Sequence, residues 1–228
     1  MKEHLAVSMR ASSAHARSFF SDLSLHGFGN VQLNALHHDF SSMSDSGRRD
    51  LASTLRRNEL RASGVDFLAL PSNWESEPEQ TLMNFGAAVS ISEALGRIPV
   101  SVCIPDNEEI VEAVVAAGLG TGILVAAHRC APLSNPNIAW GLPTALLAKE
   151  ERPMRTLAEA SFGPLALRLS GEVVGRSALE TNAETLDLTE LRGVLDAMRW
   201  NPISVIDASP EQAVQIASAW HSAGPGQY

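Results

Sequence analysis

The sequence predicts an α/β protein with the fold of a slightly shortened (βα)8 barrel, also called a TIM barrel. Three observations favour it: short apolar runs alternate with amphipathic helical segments, eight strands and about seven helices can be assigned, and no antiparallel hairpin signal interrupts them. The 228 residues give about 28 per unit, close to the usual size of about 250 for this fold. A doubly wound open sheet usually has a Gly-rich phosphate turn after its first strand, and residues 9–13 contain no glycine.

The last repeat unit has the clearest boundaries. Asp187 is predicted to cap a helix with apolar residues at helical spacing, and Asn201-Pro202 ends it, because the residue before a proline disfavours helical angles. Residues 203–206 are predicted as the eighth strand, which ends in Asp207. Since barrel closure removes two exposed sheet edges, this strand is predicted to pair with residues 5–9.

The earlier elements follow the same alternation. Strands are predicted at 5–9, 31–33, within 60–68, and at 98–104, 122–127, 138–141 and 165–169. Helices are predicted at 14–25, from Asp45 or Ser46 to 57, over 82–95, from a cap at Asp106, and at 154–160. Residues 71–75 and 170–185 are predicted as loops, and 129–136 is too short and too rich in proline for a crossover helix.

Composition narrows the class of protein. With 45% hydrophobic and 19% charged residues, the chain can bury one full-sized core, so 1–223 is predicted as one domain and 224–228 as a flexible tail. A net charge of -9 makes nucleic acid an unexpected partner. No apolar run is long enough to span a membrane, and residues 1–10 lack a signal peptide's features. Cys103 and Cys130 lack metal-type spacing and predict reduced thiols in a cytoplasmic protein.

Three stretches carry a resemblance to a known family. Residues 44–51 (SDSGRRDL) with 55–60 (LRRNEL) resemble the second helix and third strand of the sugar phosphate isomerase/epimerase proteins, the xylose isomerase-like barrels. Residues 95–101 (LGRIPVS) are similar to that family's fourth-strand entry, and 187–207 resembles its closing unit. The resemblance implies a (βα)8 barrel that isomerises or epimerises a small sugar.

The resemblance also implies a divalent metal, Mn, Mg, Co or Zn, held at the C-terminal mouth by two Glu, an Asp and a His from late strands. This sequence departs from that ligand set. His128 stands where a Glu is expected, Leu142-Pro143 where an Asp-Pro pair is expected, and Arg168 in a ligand-bearing stretch. Only Asp207, in place of the usual Glu, keeps an acid. No metal ligand is therefore assigned, and a divalent metal is implied by the resemblance alone.

Candidate site residues lie at or near the C-terminal ends of predicted strands, where barrels of this kind form their active sites. His128 and Asp207 are the catalytic candidates, for proton transfer. Substrate-binding candidates are Arg10, His37, Trp74, Arg168 and Glu172. The two arginines have planar groups suited to phosphate or carboxylate. Arg10, His37, His128, Arg168 and Asp207 are predicted to converge in a pocket that is neutral to positive.

Structural roles are the alternative for each candidate. Asp207 can pair with Arg168 or help to cap the last helix, and His128 can hydrogen-bond a loop. Trp74 can cover the barrel rim instead of stacking on a sugar ring, and Glu172, in the long loop, can be solvated instead of closing over the mouth. On an extended strand, His37 and His38 would point in opposite directions and could not easily share a metal.

Two functions remain open. One is an isomerase or epimerase for a small sugar or sugar-like acid, with a reduced metal site or with metal-free proton transfer by His128 and Asp207. The other is a non-catalytic relative that binds an anionic small molecule at Arg10 and Arg168. The missing crossover helix at 129–136 should leave apolar surface exposed, which predicts a homodimer.

Overall fold

Eight parallel strands form a closed barrel in the computed structural model, which describes residues 5–181 and 184–224. The barrel strands are β1 (Leu5–Ser8), β2 (Asn30–Asn34), β3 (Arg61–Phe67), β4 (Val100–Val102), β5 (Val125–His128), β6 (Ala139–Pro143), β7 (Ala166–Leu169) and β11 (Ile203–Ile206). Outside the barrel lie β8 (Glu172–Val174), β9 (Ala178–Thr181) and β10 (Glu184–Asp187). Strands β1 to β7 and β11 follow one another around the barrel, and β11 pairs with β1 through Leu5↔Ser204, Ala6↔Val205 and Val7↔Ile206. The predicted closure and the predicted fold class are confirmed.

Helices cover the outside of the barrel. They are α1 (Ala16–Leu25), α2 (Asp45–Arg57), α3 (Pro71–Ser76), α4 (Pro78–Ala94), α5 (Glu108–Thr121), α6 (Thr144–Leu147), α7 (Pro153–Ala158), α8 (Leu188–Ala197) and α9 (Pro210–Ser222). Across the described ranges, no helix is long and apolar enough to cross a membrane. The proposed tail, 224–228, lies outside the described residues except for Gly224.

The helix caps agree only in part with the prediction. Asp187 caps α8 as predicted, since its Oδ1 accepts hydrogen bonds from the amides of Thr189 and Glu190. The cap of α2 is Ser44, one residue before the predicted pair. The cap of α5 is Asn107 rather than Asp106, because the amide oxygen of Asn107 accepts from two first-turn N–H groups.

Two predicted loops are wrong. Residues 71–75 belong to helix α3, which begins at Pro71, a residue whose fixed φ suits a first helical position. The stretch 170–185 contains β8, β9 and β10, which form a three-stranded antiparallel sheet against α8 and α9. Leu179 and Leu186 are the buried apolar side chains of that sheet. Its strands of three or four residues are too short to show a clear alternation in the sequence.

The predicted gap in the helical layer is confirmed. No helix lies between the end of β5 and the start of β6. In place of a helix, the indole N–H of Trp140 on β6 donates to the backbone oxygen of Arg129 at 2.9 Å, and the Trp140 ring is buried. Leu133 packs against the edge of the core. The chain therefore crosses from β5 to β6 as a thin irregular wall.

Candidate active site at the barrel mouth

A buried ion pair crosses the interior of the barrel. Arg168 on β7 donates a hydrogen bond from Nη2 to Oδ1 of Asp66 on β3, and the two strands lie four positions apart in either direction around the barrel. The side chains are 3% and 0% exposed. Asp66 also accepts hydrogen bonds from Ser8 Oγ at 2.6 Å and Gln32 Nε2 at 3.0 Å. These bonds compensate the cost of burying a carboxylate.

Two further charged groups extend this pair toward the surface. Asp207, just after β11, places Oδ2 3.5 Å from Arg168 Nη1 and accepts a hydrogen bond from Arg10 Nη1 at 3.2 Å. Arg10 is half exposed, whereas Asp207 is largely covered. The prediction that Arg10, Arg168 and Asp207 meet agrees with this geometry. With Asp66 included, however, the two cations face two carboxylates, so the group is neutral rather than neutral to positive.

His128, at the end of β5, is a neutral imidazole in this group. It is 4% exposed. Burial, followed by the positive charges of Arg168 and Arg10, lowers its pKa well below the usual 6.5. Its ring lies directly against Gly141 on β6: a Cβ built on that glycine would be 2.8 Å from three ring atoms. The position of the ring therefore depends on a residue without a side chain.

Among the residues that the structure describes, four buried nitrogen atoms at the mouth make no hydrogen bond, although one of them is the Arg168 Nη1 that lies 3.5 Å from Asp207 Oδ2. They are Nε and Nη1 of Arg168 and Nδ1 and Nε2 of His128. An unsatisfied buried polar group costs about 1–3 kcal/mol, and native proteins contain few of them. Two side chains with this property, close enough for the charge of Arg168 to act on His128, indicate a place for the polar atoms of a ligand or of ordered water.

The other predicted site residues lie elsewhere. His37 is buried in the turn after β2, where its ring contacts His38 and Phe40. Trp74 packs edge-on against Phe67 at 5.7 Å between centroids and also contacts Phe85, so its ring belongs to the core between β3 and α4. Trp74 therefore covers the core rather than stacking on a sugar, and the contacts of His37 are with the turn after β2.

Glu172 is also not where the sequence placed it. It is an exposed residue of β8, held opposite Glu180 in the antiparallel sheet. A strand residue in this sheet cannot swing over the mouth as a residue of a long free loop could.

Asp106 makes an ion pair with Arg129 at 3.2 Å.

The adjacent histidines do not point in opposite directions, which corrects that prediction. The rings of His37 and His38 lie 4.0 Å apart between centroids. Strand β2 ends at Asn34, and His37 N donates to the backbone oxygen of Asn34 in a turn, so the alternation of an extended strand does not reach this pair. Burial, and then the nearby His38, lowers the pKa of His37.

The residues at the mouth do not fit a divalent cation. The strand-end positions where the resemblance implies metal ligands are occupied by His128, Pro143, Arg168 and Asp207. The one carboxylate among these four residues, that of Asp207, is paired with the guanidinium groups of Arg10 and Arg168. Both guanidinium groups would repel a bound cation. The metal implied by the resemblance therefore has no suitable ligand set at this position.

Sequence reasoning missed the polar residues inside the barrel. Asp66, Gln32, Ser8 and Ser101 are all buried, and Gln32 Nε2 lies 3.2 Å from Ser101 Oγ. A detectable signal was present: Asp66 interrupts the apolar run of residues 65–68, and a charge within a buried strand needs a partner. The uncertain register of that strand concealed it, because a shift of one residue exchanges its inward and outward faces.

Solved structures share this fold. The chain aligns over 97% of its length with a D-psicose 3-epimerase from Clostridium cellulolyticum crystallised with D-tagatose, covering 96% of that chain at 12% identity and TM-score 0.65. A xylose isomerase domain containing protein from Salmonella typhimurium gives coverages of 97% and 98%, 13% identity and TM-score 0.67. A sugar phosphate isomerase/epimerase from Parabacteroides distasonis gives 99% and 97%, 12% identity and TM-score 0.66.

The sequence comparisons have a different outcome. No protein-family model and no curated protein sequence matches this chain. Structural likeness at 11–13% identity shows the fold alone, which is that of the xylose isomerase-like barrels. The predicted resemblance is confirmed at that level.

Proposed function

We propose that this protein binds a small sugar-like molecule at the C-terminal mouth of its barrel. The observation that carries the proposal is the set of four buried nitrogen atoms on Arg168 and His128 that make no hydrogen bond within the described part of the chain. Arg168 can only donate, whereas a neutral imidazole donates from one nitrogen and accepts at the other. A polyhydroxylated ligand satisfies both side chains, because each hydroxyl group is a donor and an acceptor.

The balance of charge favours a neutral polyol over a strong anion. Arg10 and Arg168 are matched by Asp66 and Asp207, so the mouth has no surplus positive charge to compensate a phosphate. An anion would have to displace Asp207 from the two guanidinium groups. A sugar hydroxyl can bind to Arg168 Nε, an atom that takes part in neither ion pair of this arginine.

The shared fold is consistent with this assignment. D-psicose 3-epimerases have been crystallised with D-fructose and with D-tagatose on the same barrel. In barrels of this kind the ligand site forms at the C-terminal face, where Arg168, His128 and Asp207 lie. This analogy supports the class of ligand and does not identify the sugar.

Titration calorimetry tests the proposal. D-fructose, D-tagatose and D-psicose would be compared with D-gluconate, an anionic sugar acid of similar size. We expect at least one neutral sugar to bind, and His128→Asn to weaken it roughly two- to tenfold, the value of one hydrogen bond. His26→Asn, at the end of α1, is the matched control. If only gluconate binds, or if both variants bind like the wild type, the proposal is wrong.

A second function, sugar isomerisation or epimerisation without a metal, is favoured by one observation. Neutral His128 and the carboxylate of Asp207 lie near the same arginines, so two groups able to exchange protons face one mouth. The protein would be incubated with each ketose in deuterated water containing a chelator. We expect solvent deuterium at the carbon next to the carbonyl, and none with Asp207→Asn. If no sugar that binds acquires deuterium, the protein binds sugars without isomerising or epimerising them.

We also propose a cytoplasmic location. Cys103 and Cys130 are both free thiols. Burial and contact with Glu150 raise the pKa of Cys130 to about 12, so this thiol is poorly reactive. Two thiols that do not pair support a reducing compartment, and fractionation of the native host would test it.

A further inference from the structure

Three ligand atoms converge on the rim of the barrel, in the loops that follow β1 and β2. His15 Nδ1 lies 3.1 Å from His38 Nε2 and 3.4 Å from Asp39 Oδ1. His38 Nε2 lies 3.2 Å from the same Asp39 oxygen. The three atoms therefore form a nearly equilateral triangle.

The surrounding contacts hold this triangle in place. Asp39 Oδ2 accepts a hydrogen bond from the amide of Ala16 at 2.6 Å, which anchors the carboxylate at the start of α1 and leaves Oδ1 facing the rings. The ring of His37 stacks on that of His38 at 4.0 Å between centroids, and the Asp39 amide donates to His37 Nδ1 at 3.3 Å. The turn after β2 thus fixes two of the three ligands together.

Hydrogen bonds alone do not explain the triangle. The carboxylate oxygen only accepts, and each neutral ring nitrogen either donates or accepts. If both nitrogens donate to Asp39, two N–H groups face each other across 3.1 Å. If one nitrogen accepts from the other, it faces the carboxylate as a second acceptor. Every choice of tautomers therefore leaves one mismatched side, whereas a cation at the centre would use all three lone pairs.

The dimensions of the triangle fit a transition metal. Zn²⁺ binds histidine nitrogen and carboxylate oxygen at about 2.0–2.2 Å, so two ligands of a tetrahedral ion lie about 3.3–3.6 Å apart. The separations here are 3.1, 3.2 and 3.4 Å, so one lies in this range and two are 0.1–0.2 Å shorter, a difference that small rotations of the two exposed rings would remove. Two imidazoles and one carboxylate suit zinc and its neighbours, whereas Mg²⁺ prefers oxygen ligands alone.

We propose that His15, His38 and Asp39 bind one divalent transition-metal ion such as Zn²⁺, with the fourth coordination position open. Three protein ligands with an open position are the arrangement of catalytic rather than structural zinc. The proposal does not rest on the proposed sugar-binding function, and its ligands come from the loops after β1 and β2 rather than from the late strands where the resemblance implies a metal. His15 and Asp39 also border a cavity of about 380 Å³ beside α1 and α2, so a small ligand could approach the ion.

Zinc titration of chelator-treated protein tests the site. We expect one Zn²⁺ per chain by calorimetry and no comparable binding of Mg²⁺. His15→Gln and His38→Gln should each weaken Zn²⁺ binding by more than the roughly 10- to 100-fold typical of a residue that only supports a ligand. Both histidines are exposed, so the variants should fold normally, which circular dichroism would verify. His26→Gln, at the other end of α1, should bind like the wild type.

Histidine ring spectra give a second measurement. On addition of Zn²⁺, the ¹⁵N resonances of His15 Nδ1 and His38 Nε2 should shift together, while those of His128 and His221 stay in place. The proposal is overturned if the wild type binds no Zn²⁺ stoichiometrically, if both glutamine variants bind it unchanged, or if the shifted resonances belong to other histidines.

Discussion

Arg168 on β7 hydrogen-bonds to Asp66 on β3 across the full width of the barrel, and both side chains are buried. The pair joins opposite walls of the fold and is also the inner end of the charged group that reaches the mouth through Asp207. Stability and ligand binding therefore depend on the same arginine, and a substitution at this position should affect both.

Removal of Arg168 should destabilise the fold strongly. Arg168→Ala leaves the carboxylate of Asp66 buried without its cation, which costs about 3–5 kcal/mol of unfolding free energy. Arg155→Ala is the matched control, because Arg155 pairs with Glu159 on the exposed surface and such pairs contribute about 0.2–1 kcal/mol. Urea denaturation at neutral pH measures both.

The paired replacement separates charge from packing. Asp66→Leu combined with Arg168→Met removes both charges, and an apolar pair of similar size is often neutral or stabilising. We expect the double variant to recover most of the stability that Arg168→Ala loses. If Arg168→Ala and Arg155→Ala lose equal amounts of unfolding free energy, the buried pair contributes no more to stability than an exposed pair does.

A methyl group at Gly141 should displace His128. In Gly141→Ala the new Cβ would lie 2.8 Å from the imidazole, so overpacking should cost about 1–3 kcal/mol and weaken any sugar that binds. Gly29→Ala is the control, since a Cβ at that position meets no atom within 4 Å. In the double variant Gly141→Ala/His128→Ala the clash is removed, so its loss of unfolding free energy should be smaller than the sum of the losses in Gly141→Ala and His128→Ala. A full additive loss would contradict this explanation.

Stability should fall as the pH decreases below about 6.5, the pKa of histidine in an unfolded chain. The folded pKa of His128 is well below that value, so the unfolded state binds more protons in this range and is favoured by acid. One such residue contributes at most about 1.4 kcal/mol per pH unit. His37, whose pKa is also lowered, acts in the same direction.

Unfolding free energies at pH 7.0 and 5.5 would measure this effect. We expect His128→Gln to reduce the difference between the two pH values, with the part due to His37 remaining. His26→Gln serves as the control. If the wild type and His128→Gln lose the same free energy over this interval, His128 does not stay neutral in the folded protein.

A homodimer remains a prediction from the thin wall between β5 and β6. The apolar Leu133 of that wall is itself partly buried, and the exposed Leu119 and Leu124 lie near the opposite, N-terminal end of β5. A second subunit would remove such surface from water, and closed pairs are the commonest oligomers. Sedimentation velocity at micromolar concentration should show a dimer, and a single monomer boundary would be the contrary result.

Local sequence signals were sufficient for most of the barrel. Residues 203–206 form a strand with the predicted bounds, and α8 begins at its predicted cap, because an apolar run and a capping side chain act on neighbouring residues. The antiparallel sheet was missed because its short strands are stabilised by packing on α8 and α9, which no local pattern encodes.

The sequence by itself determined the order of the eight barrel strands, the fold class and the strand ends that hold Arg168, His128 and Asp207, because these follow from residue periodicity and chain order. Only the tertiary structure decided which side chains meet. Arg168 and Asp66 are 102 residues apart, and His15 and His38 are 23 apart. Barrel closure and the turn after β2 bring these atoms within bonding distance, and such contacts depend on the path of the whole chain rather than on any segment of it.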